Sequence, residues 1–181
     1  AHHGRIEQTI RSLLRNHAGK IAGIYQNVRG ARLVQLGPST DDQIAVLTGA
    51  RHLGLESQAI LHVGAEKFYL ILLDEDGNYR KSVTNTGCAS GTGSFLDQQA
   101  ARLNLSSPAE LAELATHFQG DPPPIATRCA VFAKTDLIHA QQKGYSLAAI
   151  CAGVCRGVAR NVAETIGSLE LPDPVMFSGG V

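Results

Sequence analysis

The sequence predicts a layered α/β fold on three observations. Residues 58–63, QAILHV, and 67–74, KFYLILLD, are apolar, β-branched or aromatic runs of strand length, split by Gly64-Ala65-Glu66. Four helical stretches follow from residue 94 onward, and a closing run near 173–178 returns to strand character. Helices, hairpin strands, helices and one more strand is the order of a layered α/β domain rather than a helical bundle.

Each element has its own local reason. Residues 4–17 put Ile6, Ile10, Leu13 and Leu14 on one helical face with arginines and glutamate opposite, the 3.6-residue amphipathic pattern. A short strand is expected around Ile21–Tyr25. A second helix follows Ser39, with Asp41 and Asp42 as cap and first-turn acids, and runs to about Leu53. The DEDGN stretch supplies an Asp76-Gly77 turn into YRKSV, so three strands form a meander. Ser107-Pro108 sits in cap and first-turn positions for a helix over 108–118, after one over 94–103; two more are expected over 130–142 and 146–166. The proline-rich Gly120–Pro124 reads as a loop that delivers Cys129 and not as a domain boundary.

A chain of 181 residues buries roughly 70% of its unfolded surface, so size alone demands neither disulfides nor metals. Sixteen basic and sixteen acidic side chains cancel, which removes the general electrostatic signature of a nucleic-acid or anionic-membrane binder. No apolar run approaches the roughly 20 residues of a membrane span, and AHHGRIEQ lacks a signal-peptide core. The expected compartment is the cytoplasm, with neither nucleic acid nor membrane as partner. The first residue is alanine, and PVMFSGGV reads as a strand cut off in a Gly-Gly turn, so a piece of a longer protein is expected.

Four cysteines are too few for a disulfide scaffold. Cys88 precedes Ala-Ser-Gly-Thr-Gly and a helix; Cys129 precedes AVFAKTDLIHAQQ, also a helix. A helix N-terminus carries about half a positive charge and unpaired amide donors, which stabilise a thiolate. Either cysteine therefore suits a nucleophile, a metal ligand or a small apolar core residue. Thr92 and Gly93 are expected to expose backbone N–H groups as an anion nest. Two thiolates do not complete a four-thiolate site, which suggests two from each of two subunits across a two-fold axis. Cys151 and Cys155, four residues apart on one helix, are expected to pack.

NTGCASGTGSFLDQQAARL together with RCAVFAKTD resembles the BadF/BadG/BcrA/BcrD ATPase family, activators of 2-hydroxyacyl-CoA dehydratases and ATPase subunits of benzoyl-CoA reductases. In that family a Cys-Ala-Ala-Gly-Thr-Gly-x-Phe-Leu motif precedes a second cysteine in a Cys-Thr-Val-Phe-Ala context. The resemblance implies an actin-like, sugar-kinase-like (ribonuclease H-like) ATPase fold, truncated here at both ends. Residues 1–57 would finish a first lobe, and 58–181 would form most of the second. It further implies a homodimer holding one 4Fe-4S cluster between subunits, with Cys88 and Cys129 as each subunit's ligands. Mg-ATP would be bound near Gly64, Gly91, Thr92, Gly93, Gly179 and Gly180, the last two in MFSGGV resembling the adenosine-binding turn. Its hydrolysis would drive an electron into a dehydratase- or reductase-type acceptor.

Three departures bear on activity. The family's first phosphate hairpin, Asp-x-Gly-Ser/Thr, has no counterpart. Where typical activators read Asp-Ile-Gly-Gly-Gln-Asp, this chain has His62-Val63-Gly64-Ala65-Glu66-Lys67, without either acid. The adenosine motif stops at Val181. The piece is accordingly expected to bind ATP poorly and to be inactive alone. Two alternatives stand beside the activator: a degenerate, non-catalytic scaffold of a larger fused protein, and zinc in the four-thiolate position. His62 is read as a core histidine, and Asp136 and the Arg160-Asn161 pair as solvated.

Overall fold

The computed structural model describes residues 6–17, 19–27, 36–85, 92–167 and 169–181, and the chain divides into two units, Ala1–Leu55 and Glu56–Val181. The first unit contains helix α1 (Ile6–Asn16), strands β1 (Gln26–Asn27) and β2 (Ser39–Thr40), and helix α2 (Asp42–His52). Arg11 pairs with Glu7 one turn earlier at 2.6 Å on an exposed face, a contact that contributes a few tenths of a kcal/mol. Strands β1 and β2 run parallel. The strand expected at Ile21–Tyr25 is not formed: those residues join no ladder, and pairing starts only at Gln26, whose N–H donates to the Pro38 carbonyl at 3.1 Å. Ile21 and Tyr25 are exposed, so no opposing face rewards extension there. Helix α2 starts as expected, with the Asp41 carboxylate accepting the Gln43 N–H at 2.8 Å.

In the second unit, β3 (Ala59–Val63), β4 (Phe68–Leu73), β5 (Tyr79–Thr84) and β6 (Val175–Gly179) form one sheet in the order β5-β4-β3-β6. The first three are the antiparallel meander; β6 returns parallel to β3. The turn chemistry works as expected. Asp74 Oδ1 accepts the N–H groups of Asp76 and Asn78 at 3.1 and 2.7 Å, and Gly77 takes a φ of 74°. Every residue of β4 is buried, which is why FYLILL is continuously apolar rather than alternating.

Between β5 and β6 lie α3 (Gly93–Arg102), α4 (Pro108–Thr116), α5 (Ala130–Gln142) and α6 (Leu147–Ile166). Ser107 caps α4 through the Glu110 N–H, and the Glu110 carboxylate reaches back to the Ser106 N–H at 2.7 Å, a reciprocal cap. Phe95, Leu111, Ala133, Leu137, Ile150 and Val154 form the core of this helical layer. Each large apolar side chain among them contributes about 1.5–3 kcal/mol on full burial. A second core joins Ala59, Leu61, Phe68, Leu70 and Leu72 of the sheet to Val162 of α6. Helix α6 thus belongs to both cores. Beside it an apolar groove of about 630 Å³ opens against the sheet, lined by Leu61, Val63, Cys155, Val162 and Phe177 among others. No helix among the described residues is long and apolar enough to cross a membrane.

Candidate functional site

The parallel strands β3 and β6 end side by side, the position where open α/β sheets present ligand-binding loops. Gly64, Gly93 and Gly179 gather there because the backbones touch. A Cβ on Gly179, whose φ is 115°, would lie 2.0 Å from the Val63 carbonyl oxygen. One on Gly93 would lie 3.1 Å from Val181 Cγ2 and 3.2 Å from Ala65 Cα. Thr92, wholly buried, is the N-cap of α3, and Gly180 follows the end of β6.

The expected anion nest is corrected at Gly93. Its N–H donates to the Gly64 carbonyl at 3.0 Å, and the Ser94 N–H donates to the Ala65 carbonyl at 2.8 Å. Helix α3 is docked on the β3–β4 turn, and glycine is required for that close approach rather than for exposing its amide. Gly91 lies outside the described residues.

His62 sits on β3 across from Tyr69 and Ser178. Its Nδ1 is 3.1 Å from Ser178 Oγ, and its ring stacks on Tyr69 at 4.7 Å between centroids. Lys67 Nζ lies 5.4 Å from the same Tyr69 ring. The polar groups at this end of the sheet are therefore engaged with one another, and His62 is the satisfied, half-buried histidine of the core reading.

Cys129 is the N-cap of α5. Its backbone is extended, at φ −142° and ψ 121°, and its carbonyl accepts the Ala133 N–H at 3.0 Å, while its thiol makes no capping hydrogen bond. The half-buried sulfur stands at the positive end of a thirteen-residue helix without a capping role of its own. Val131 and Phe132, two and three positions on, are 70% and 65% exposed. A thiol so placed fits a metal ligand. It fits the zinc alternative equally by geometry alone.

Cys88 lies in 86–91, outside the described residues. Arg102, in the last turn of α3, donates from Nη1 to the Ala130 carbonyl at 3.0 Å and ties that turn to the start of α5.

The other sequence candidates sort plainly. Cys151 is fully buried in the helical core, where burial first, then the neighbouring Cys155 and Glu110, push its thiol up to about 11. Burial raises Cys155 as well. Both pack, as expected. Asp136 is corrected: it is half-buried, and its Oδ2 accepts the Ala126 N–H at 2.8 Å. Asn161 is also buried, whereas Arg160 is exposed. Among the described residues no three His, Cys, Asp or Glu side chains group as a metal site. Sequence reasoning missed Arg102, Gly153 and Gly157, whose roles depend on contacts with residues far along the chain; the Gly-x-x-x-Gly spacing was the available signal.

Residues 33–181 match the model of the BadF/BadG/BcrA/BcrD ATPase family. The Escherichia coli K12 protein YjiL, itself uncharacterised, is 33% identical over 151 residues, covering 81% of this chain and 58% of the relative. One of the benzoyl-CoA reductase subunits of Thauera aromatica is 33% identical over 132 residues, covering 73% and 46%. The chain thus spans about half the length of these relatives. Two solved structures superpose over 97% of the chain. They are the ADPNP-bound activator of 2-hydroxyisocaproyl-CoA dehydratase from Clostridium difficile (TM-score 0.85, 22% identity, 66% of that chain) and component A of (R)-2-hydroxyglutaryl-CoA dehydratase from Acidaminococcus fermentans (0.82, 25%, 68%). The fold is that of an actin-like ATPase activator.

Proposed function

This chain belongs to the BadF/BadG/BcrA/BcrD ATPase family, and we propose that it is part of an ATP-dependent activator passing single electrons to a dehydratase- or reductase-type acceptor. The observation that carries the reading is Cys129: a thiol with no capping bond at the start of α5, followed by two exposed apolar side chains. In this reading Cys88 and Cys129 from each of two copies hold one 4Fe-4S cluster, which supplies one-electron chemistry at low potential. The N-terminus of α5 contributes its partial positive charge to the site, and Val131 and Phe132 exclude water where the second copy approaches. In this reading Gly64, Gly91, Thr92, Gly93, Gly179 and Gly180 serve Mg-ATP, residues 1–57 finish a first lobe, and residues 58–181 form most of a second. Support for the nucleotide comes from the ADPNP bound to an activator that shares the fold.

A second reading, a non-catalytic scaffold that keeps the fold, is favoured by one observation. His62, Ser178, Tyr69 and Lys67 engage one another where a nucleotide-binding chain needs groups for phosphate and metal. Calorimetric titration with Mg-ATP of this chain and of the full-length protein separates the two. Saturable heat in the full-length protein supports the activator; no heat at millimolar nucleotide in either supports the scaffold.

A further inference from the structure

We propose that residues 123–128 are a strap that fixes the Cys129 thiol relative to α6, with Thr127 and Asp136 as positioning residues; this deepens the reading of Cys129 as a ligand. The backbone of the strap lies in a slot on α6 that only glycine leaves open. A Cβ on Gly153 would stand 2.4 Å from the Pro123 carbonyl oxygen, and one on Gly157 would stand 2.5 Å from Thr127 Cγ2 and 2.8 Å from the Ile125 carbonyl oxygen. Thr127, 6% exposed, donates its hydroxyl to the Gly157 carbonyl at 2.8 Å.

The next residue, Arg128, pairs with Glu164 of α6 at 2.6 Å; both are exposed, so the pair sets direction more than stability. From α5, Asp136 accepts the Ala126 N–H, and from α3, Arg102 holds the Ala130 carbonyl. Residues on both sides of Cys129 are thus fixed from three helices, while the sulfur itself makes no capping bond.

Packing alone does not require this arrangement. Ile125 already anchors the segment in the helical core, and a buried hydroxyl and a half-buried carboxylate cost desolvation that apolar side chains avoid. Their return is a fixed direction for the backbone that carries the thiol. Helix α6 also reaches the sheet core at Val162, so a shift of α6 is transmitted to Cys129 through the strap.

The test uses the reduced, iron-free 181-residue chain and iodoacetamide about one pH unit above the ordinary thiol value, so that rate reports access rather than ionisation. Peptide mass mapping follows Cys129, with Cys155 as internal reference. Thr127→Val and Asp136→Ala are expected to accelerate alkylation of Cys129 by at least about threefold while Cys155 is unchanged, because freeing the segment exposes a half-buried sulfur. Thr127→Ser and Asp136→Asn, which keep a hydroxyl donor and an amide acceptor, are expected to stay near wild type. In the anaerobically reconstituted chain the first pair also retains less iron than the second. Equal rates in all five proteins, or parallel acceleration of Cys129 and Cys155, overturn the strap. Strap-dependent alkylation in a chain that takes up no iron upholds the strap and removes the ligand reading.

Discussion

Arg102 Nη1 donates to both the Gln99 side-chain oxygen and the Ala130 carbonyl, each at 3.0 Å, and so joins the last turn of α3 to the first turn of α5. Gln99 is fully buried and spends its other end on the Phe95 carbonyl. Arg102→Ala therefore leaves a buried acceptor without its donor. The expected loss is about 1–3 kcal/mol, read from the urea midpoint. An unchanged midpoint would show that Arg102 does not support Gln99.

Two glycines with positive φ separate backbone strain from steric collision. Around Gly77 there is open space, so Gly77→Ala is expected to cost only about 1 kcal/mol. At Gly179 a Cβ would lie 2.0 Å from the Val63 carbonyl oxygen, a clash that backbone cannot relieve cheaply. Gly179→Ala is expected to cost more than about 3 kcal/mol or to leave no folded protein. Equal melting temperatures for the two variants would count against the close approach of β6 to β3.

The buried Cys151 thiol makes stability fall in alkali. Its folded-state value is raised to about 11, so the folded state holds its proton more tightly than the unfolded chain does. That contribution is complete below the unfolded thiol value and is lost as pH rises through the folded one. The gap in urea midpoint between wild type and Cys151→Ala is expected to narrow between about pH 8.5 and about pH 11. A gap that stays constant across that window contradicts the burial.

The same burial orders the thiols by reactivity. Among the three described thiols, Cys129 is expected to alkylate first, Cys155 on the apolar groove later and Cys151 last, within the folded chain at about pH 8. Rapid labelling of Cys151 would mean that the helical core opens readily.

Local chemistry was legible in the sequence. The Asp41 and Ser107 caps, the Asp76-Gly77 turn, the three-strand meander and the start of α5 at Cys129 each follow from side chains within a few residues of one another. Ile21–Tyr25 misled because two apolar side chains in a short run imitate a strand, although both are left exposed. Gly93 and Asp136 misled for another reason. Gly93 meets Gly64, 29 positions earlier, and the Asp136 carboxylate accepts from Ala126, 10 positions earlier and outside its own helix. Partners outside the residue's own helix leave no periodic trace, so the pattern along α3 and α5 points to an exposed amide and a solvated carboxylate where tertiary contacts engage both residues.

The central claim is that Cys129 is a cluster ligand, and iron analysis after anaerobic reconstitution with iron and sulfide tests it most directly. The account predicts brown protein with about four irons per two chains, and colourless protein for Cys129→Ala and Cys88→Ala. Wild-type protein that stays colourless and iron-free, or a Cys129→Ala variant that keeps its full iron, would contradict it.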